Sequence, residues 1–335
     1  MTLRDVAKRV GIHPATASRA LNDSTRHLVS AATATRVTEA AREMGYTPNS
    51  IARSLKTSRS LTVGVILPDL TNPVFPPMVR GIEDALAPAG FTALIANTDN
   101  DQVRARSVIQ ALRLRQVDGW ISAVATLHDH LFTDPGPPLV LLNRQDEDRT
   151  PAVVGDDRDG IAKAIAHLVD LGHRRIAYVA GPQALSTGSA RYAAYVEVMT
   201  ARGLDVDTAL VGFGASFSEQ EGARALRELL DAGGEFTALI AGNDLMALGC
   251  YETLAGRGLR CPEDISVIGF NDMHFADRFA PPLTTVRIPH HEMGRRAAEQ
   301  LLAQIGGAAG GAIPIVLPVE LVVRRSTAEP ARGMR

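Results

Sequence analysis

The chain has 335 residues, 45% of them hydrophobic and 4% aromatic, with 35 Lys/Arg against 37 Asp/Glu. That length predicts roughly two domains with ample apolar material for packed cores, and no apolar run approaches the ~20 residues of a membrane span. Two cysteines, Cys250 and Cys261, without metal-ligand spacing exclude a disulfide framework and read as core or loop thiols of a reducing compartment.

The near-neutral balance hides an asymmetry. Residues 1–60 carry ten Lys/Arg against four Asp/Glu, and the remainder 25 against 33. A basic front end on an acidic body points to an anionic partner for the front end alone, the plainer alternative being a solvated helical face. The opening residues lack the charged-then-apolar order of a secretory leader, so a cytoplasmic protein is expected.

In chain order, Leu3, Val6, Ala7 and Val10 recur at helical spacing with Arg4, Lys8 and Arg9 outside. Gly11 suits a positive-φ corner, Ile12 plugs the angle, and Pro14 starts a second short helix. Ala17, Ala20 and Leu21 form its apolar stripe. Its other face, Ala15, Thr16, Arg19 and Asn22, is small at its start and polar along its length. Such a face can approach a base-pair edge, Arg19 reaching guanine and Thr16 or Asn22 reaching phosphate. A third helix runs from Ser30 as N-cap through Val37, Ala40, Ala41 and Met44 to Gly45. Three helices in ~45 residues, two of them tightly angled, predict a helix-turn-helix.

The stretches TLRDVAKRVGIHPATASRALN and VSAATATRVTEAAREMGYTPNSIARSLKTSRS together resemble the front end of the LacI/GalR family of bacterial transcription regulators. The resemblance implies a DNA-binding head (1–48), a hinge helix or linker (49–59) and an effector-binding and dimerisation body (60–325) similar to periplasmic sugar-binding proteins. It implies base-reading positions at Pro14, Ala15 and Arg19, and backbone contacts from Thr2, Ser18, Asn22, Tyr46 and Asn49. In the connector it implies close approach of two copies at Ala52 and a minor-groove wedge at Leu55. A helix this short is marginal alone, and an apolar wedge unstacks and bends DNA. Two departures stand out. His13 replaces the family's usual Ser N-cap, so either the helix start loosens or His13 itself faces a phosphate. The loop NDSTRHLVS is longer than typical, and its Arg26 and His27 offer further backbone contacts.

After Ser60 the apolar runs TVGVIL, TALIAN, DGWISAV, PLVLLN, RIAYVAG, ALIAG and ISVIGF alternate with amphipathic helical stretches. This predicts an α/β body of two doubly wound parallel-sheet lobes. From the resemblance the chain crosses between lobes near 157–161, 286–290 and 317–322. The N-lobe would hold about 60–158 and 289–318, and the C-lobe about 161–287 and 320–325, with a frayed tail from about Ser326. Ligands of open α/β sheets bind beyond the carboxyl ends of strands. The resemblance places effector contacts there at Asn72, Phe75, Thr187, Arg191, Phe217, Asn243, Asn271 and Asp272. Arg191 offers a planar fork for a hydroxyl or carboxylate and Phe217 an aromatic platform. Plainer alternatives are a helix cap for Asn243 and a core role for Phe217. Asn271 stands where well-known members carry a ligand-anchoring Asp.

No phosphate-cradling Gly-Lys-Ser/Thr loop, nucleophile elbow or His-Glu-x-x-His is present. GFGAS lacks a third dinucleotide-spaced glycine, GGAAGG is a low-complexity loop, and adjacent His290 and His291 point apart on a helix. The expected protein is thus a non-enzymatic, dimeric regulator without cofactor or metal. Its partners would be near-palindromic double-stranded operator DNA and a small molecule, a sugar or sugar derivative by resemblance. Its location would be the cytoplasm, on the nucleoid when DNA-bound. The rivals are a transporter's solute-binding protein and an α/β enzyme acting on sugars or nucleosides.

Overall fold

A computed structural model describes residues 1–22, 25–46, 59–128, 131–132, 136–308 and 313–331. It divides into two compact units, Met1–Ser60 and Leu61–Arg335. The connector residues Asn49, Ala52 and Leu55 lie outside the described residues.

The first unit is helical: α1 (Leu3–Val10), α2 (Pro14–Ala20) and α3 (Ala31–Glu43), with a single 3-10 turn at Arg26–Leu28. Its small core is Val6, Ala7, Ala17, Ala20, Ala34, Val37, Ala40 and Ala41. The abundance of alanine lets three short helices approach closely. Gly11 and Gly45 adopt left-handed φ of 72° and 61°. There the following amides, Ile12 and Tyr46, reach back to the Ala7 and Ala41 carbonyls, the closing pattern that glycine permits at a helix end. At the front, Thr2 and Asp5 form a reciprocal capping box on α1.

The second unit has two six-stranded sheets. The first contains β1 (Thr62–Leu67), β2 (Thr92–Asn97), β3 (Gly119–Ser122), β4 (Leu139–Leu142), β5 (Ala152–Gly155) and β11 (Ile315–Leu317), in the order β11-β5-β4-β3-β1-β2. Its pairings are all parallel. The second contains β6 (Ile176–Ala180), β7 (Val211–Phe213), β8 (Ala238–Ala241), β9 (Ser266–Asn271), β10 (Thr284–Arg287) and β12 (Glu320–Val322), in the order β12-β10-β9-β8-β6-β7. Only β12 is antiparallel there. β1, β6, β8 and β9 are buried along nearly all their length, as strands covered by helices on both faces must be.

Helices α4 (Phe75–Leu86), α5 (Gln102–Leu114) and α10 (His290–Ile305) pack with the first sheet; α6 (Asp157–Asp170), α7 (Ser186–Ala201), α8 (Glu219–Asp231) and α9 (Asp244–Gly256) pack with the second. α4 and α10 meet at reciprocal glycines. A Cβ on Gly81 would sit 2.9 Å from the Arg295 nitrogen, and one on Gly294 would sit 2.8 Å from the Met78 carbonyl carbon.

The chain passes between lobes three times: after Gly155, after Arg287 and after Leu317. A Cβ at Gly155 would lie 3.3 Å from Ile288 Cγ2 and 3.4 Å from Val319 Cγ1, so the three crossings run side by side. The helix beginning at Asp157 already packs on the second lobe.

The tail corrects the expectation of fraying. Ser326 is fully buried: its hydroxyl accepts from the Thr284 amide at 2.8 Å and donates to the Val267 carbonyl at 2.6 Å. The Val267 amide donates to the Ser326 carbonyl, and the Ala328 carbonyl faces His173 Nε2 at 2.8 Å. Unpaired backbone groups beside β9 and β10 hold the tail, since a buried polar group left without a partner is costly.

Candidate functional site

The head presents one helix face outward. Burial of Ala17 and Ala20 turns Ala15 and Arg19 to solvent, with Pro14, Thr16, Ser18 and Asn22 half-exposed beside them; residues four apart share a face. His13 caps α2 after all, its Nδ1 accepting the Ala15 amide at 3.2 Å, which requires that nitrogen to be unprotonated. Thr2 is engaged in its capping box, and Tyr46 packs half-buried against the small core. Arg36 fastens α3 to the end of α1 by donating to the Val10 carbonyl at 2.8 Å, a tie with no local sequence signal. Arg4, Lys8, Arg9, Arg19, Arg26 and Arg42 are exposed. None of them enters an ion pair among the described residues. Unpaired cations on a compact surface are what a phosphate backbone recruits.

In the body, the loops that follow β1, β4, β6, β7, β8 and β9 converge on a cleft between the sheets. The cleft is narrow, with about 20 Å³ of internal space, and it is lined by Asn72, Phe75, Thr187, Arg191, Phe217, Asn243 and Asn271 together with Val74, Asn143 and Arg144. Seven of the eight expected effector positions therefore meet there. Asp272 does not line it. Asn271 and Asp272 both have positive φ, 112° and 54°, and the Asp272 carboxylate binds Arg287 at 2.7 Å and Arg324 at 2.6 Å. Asn143 and Arg144 are not among the expected residues. Their signal is nonetheless present: they immediately follow the strand LVLL, at the end where such sheets bind ligands.

Arg191 is anchored by three kinds of contact. Its Nε donates to Asp157 Oδ1 at 2.7 Å, its Nη1 donates to the Gly242 carbonyl at 2.7 Å, and its guanidinium lies 3.7 Å from the Phe270 ring centroid. Burial pushes the Asp157 carboxyl up, with Arg191 and then Arg144 pulling it back down. Arg144 is 5% exposed, and burial beside Arg191 brings its guanidinium down to about 10. Phe217 lies over Gly181, where a Cβ would overlap its ring, so the aromatic wall depends on that glycine. Asn243 does two things: its Oδ1 accepts the Met246 amide at 2.8 Å as the N-cap of α9, and it lines the cleft. Asn72 likewise accepts the Val74 amide at 3.2 Å. The arrangement presents amide and guanidinium groups and an aromatic ring to one place; among the described residues lining it there is no nucleophile–base pair.

Residues 2–49 match the family described as bacterial regulatory proteins, lacI family, and residues 165–327 match a periplasmic binding protein-like domain. The HTH-type transcriptional repressor CytR of Escherichia coli (strain K12) is 34% identical over 330 residues, covering 97% of this chain and 96% of that protein. A solved structure of the transcriptional regulator CelR in complex with cellobiose is 32% identical with a TM-score of 0.75, covering 97% of this chain and 99% of that one. A lac repressor dimer bound to operator and the anti-inducer ONPF is 28% identical with a TM-score of 0.86, covering 98% and 99%. With head, cleft and whole-length relatives in agreement, the chain belongs to the lacI family of bacterial transcription regulators, and it is a regulator rather than an enzyme.

Proposed function

We propose that this regulator is a repressor that binds a near-palindromic operator as a homodimer and adjusts its grip to a small ligand, a sugar or sugar derivative, held between the lobes. The observation that carries this reading is the cleft. Loops from both sheets bring asparagine side chains, an anchored arginine and an aromatic ring to one place, so a ligand there touches both lobes and favours one spacing between them. A ligand shifts such an equilibrium only by its differential affinity for the two arrangements.

In the head, Pro14, Ala15 and Arg19 read bases, while Thr2, Thr16, Ser18, Asn22 and Tyr46 meet the DNA backbone. Asn49, Ala52 and Leu55 complete the contact from the connector. The cellobiose bound by CelR and the operator bound by the lac repressor dimer support these assignments by likeness. Exposed Ile95 on the edge strand β2 and exposed Leu70 beside it are suited to a second copy. Among the described residues no helix is long and apolar enough to cross a membrane. A DNA-bound repressor works on the nucleoid, in the bacterial cytoplasm.

The test is a selection of duplexes from a random pool by the full-length protein, followed by titration of the selected duplex with and without sugars. The expected results are two-fold-symmetric sites, a steep fall of affinity with salt and a ligand that changes operator affinity about 5–150-fold. Absence of salt-sensitive affinity for any duplex refutes the proposal.

A further inference from the structure

The chemistry of the cleft is lopsided. Two guanidinium groups, Arg144 and Arg191, line it, both at least nine-tenths buried. The carboxylate beside them, Asp157, is already bound to Arg191. Arg144 forms no ion pair among the described residues. Its Nη1 donates to the carbonyl of its own neighbour Asn143 at 2.6 Å, and its buried Nε has no partner. The two acids that directly adjoin cleft residues in sequence are held elsewhere: Asp272 by Arg287 and Arg324, and Asp244 by the Thr285 hydroxyl and the Met273 amide.

The neutral groups lean the same way. Asn72 and Asn243 each commit their amide oxygen to a backbone N–H, which leaves an NH2 donor as the remaining polar group of each. The buried polar atoms of the cleft without partners are Arg144 Nε, Thr187 Oγ1 and Asn271 Oδ1. Those three atoms are one donor, one hydroxyl able to give or take, and one acceptor; the NH2 groups of Asn72 and Asn243 tip the balance towards donors, around the net positive charge of Arg144, Arg191 and Asp157. A neutral polyol offers hydroxyls that both give and take; it leaves the positive charge uncompensated. A buried charge demands a paired, hydrogen-bonded counter-charge.

We infer that the ligand of this cleft is a small hydroxylated acid, a carboxylate or phosphate monoester whose anionic group meets Arg144 while its hydroxyls meet the asparagines. This inference rests on the ligand-binding reading above and narrows it. A second pocket, of about 110 Å³, is also lined by Arg144, together with Pro68, Thr98 and Ala123 of the first lobe.

The experiment compares matched probes on the full-length chain: glucose, galactose and mannose against their aldonic acids, uronic acids and 6-phosphates. Sodium sulfate at equal ionic strength serves as the control. Binding is read by thermal shift and calorimetry for the wild type, Arg144→Gln and Arg144→Lys. The expected result is that one acid binds at least about tenfold tighter than its neutral parent, that Arg144→Gln removes the preference, and that Arg144→Lys retains most of it. Whether the aldonic and uronic acids or the phosphates win identifies the anionic group. Neutral sugars binding as tightly as their acids, or a preference that survives Arg144→Gln, overturns the inference and leaves the ligand-binding reading standing. A sulfate effect as large as that of the best acid overturns it too, since a generic anion then suffices. No response to any probe, neutral or acidic, counts against both.

Discussion

Replacing Asp157 by asparagine removes the carboxylate that, among the described residues, faces the two buried guanidinium groups of the cleft. In the native chain Arg191 Nε lies 2.7 Å from Asp157 Oδ1, with side chains 3% and 12% exposed. Removing one member of a buried ion pair costs about 3–5 kcal/mol, because the orphaned charge stays behind. The amide oxygen introduced by the substitution still accepts from Arg191, which places the expected loss at the low end of that range, ~3 kcal/mol. For a body of this size about 2 °C of Tm is lost per kcal/mol, giving a fall of roughly 6 °C. The assay is thermal and urea unfolding of the full-length protein at neutral pH, followed by circular dichroism. Pairing Asp157→Asn with Arg191→Met removes both members of the ion pair and leaves Arg144 as in the single Asp157 variant, so the double variant should be more stable than the sum of the single losses allows. A single variant within ~1 °C of wild type, or strictly additive losses, would show that the pair does not stabilise the cleft.

Other consequences are as direct. Arg19→Ala should weaken the selected duplex by about 1–3 kcal/mol and relax preference at one base pair; an unchanged preference in a competition titration removes Arg19 from base reading. Gly294→Ala presses a methyl into the α4 backbone at Met78 and should cost about 1–3 kcal/mol in urea unfolding; an unchanged midpoint refutes the close approach. Asp244 is fully buried, accepting from Thr285 Oγ1 at 2.5 Å and the Met273 amide at 2.7 Å, and burial pushes its carboxyl up to about 7. A raised folded-state value means its stabilising contribution is complete below the unfolded value near 3.8 and is lost as pH rises through about 7. Asp244→Asn, which cannot ionise, should therefore gain Tm relative to wild type between those limits. A pH-independent difference refutes the assignment.

Much of the molecule is legible in the sequence because local chemistry and global fold agree. Val6, Ala7, Ala17 and Ala20 have one packing solution, and it turns Arg19 outward. Strands such as TVGVIL and ISVIGF announce themselves by continuous apolar character. Strands β5, β7, β10, β11 and β12, of three or four residues, carry too little pattern to separate from loops, whereas the equally short β3, β4 and β8 lie within the apolar runs DGWISAV, PLVLLN and ALIAG. The tail reads as frayed because its composition is that of a polar terminus; what holds Ser326 is a pair of backbone groups more than forty residues away. Asp272 reads as a cleft residue from its neighbour Asn271, but with the backbone left-handed at both, Asn271 lines the cleft while the Asp272 carboxylate turns to Arg287 and Arg324. Arg144 is easy to pass over because a lone arginine after a strand ordinarily belongs to solvent, and only the assembled lobes bury it.

The side-by-side passage of the chain at Gly155, Ile288 and Val319 limits what the body can do. Three covalent threads drawn through one narrow waist resist sliding and stretching but yield to bending. The soft movement is then a clam-like rotation with a single angle, and whatever a bound molecule reports must be encoded as a value of that angle.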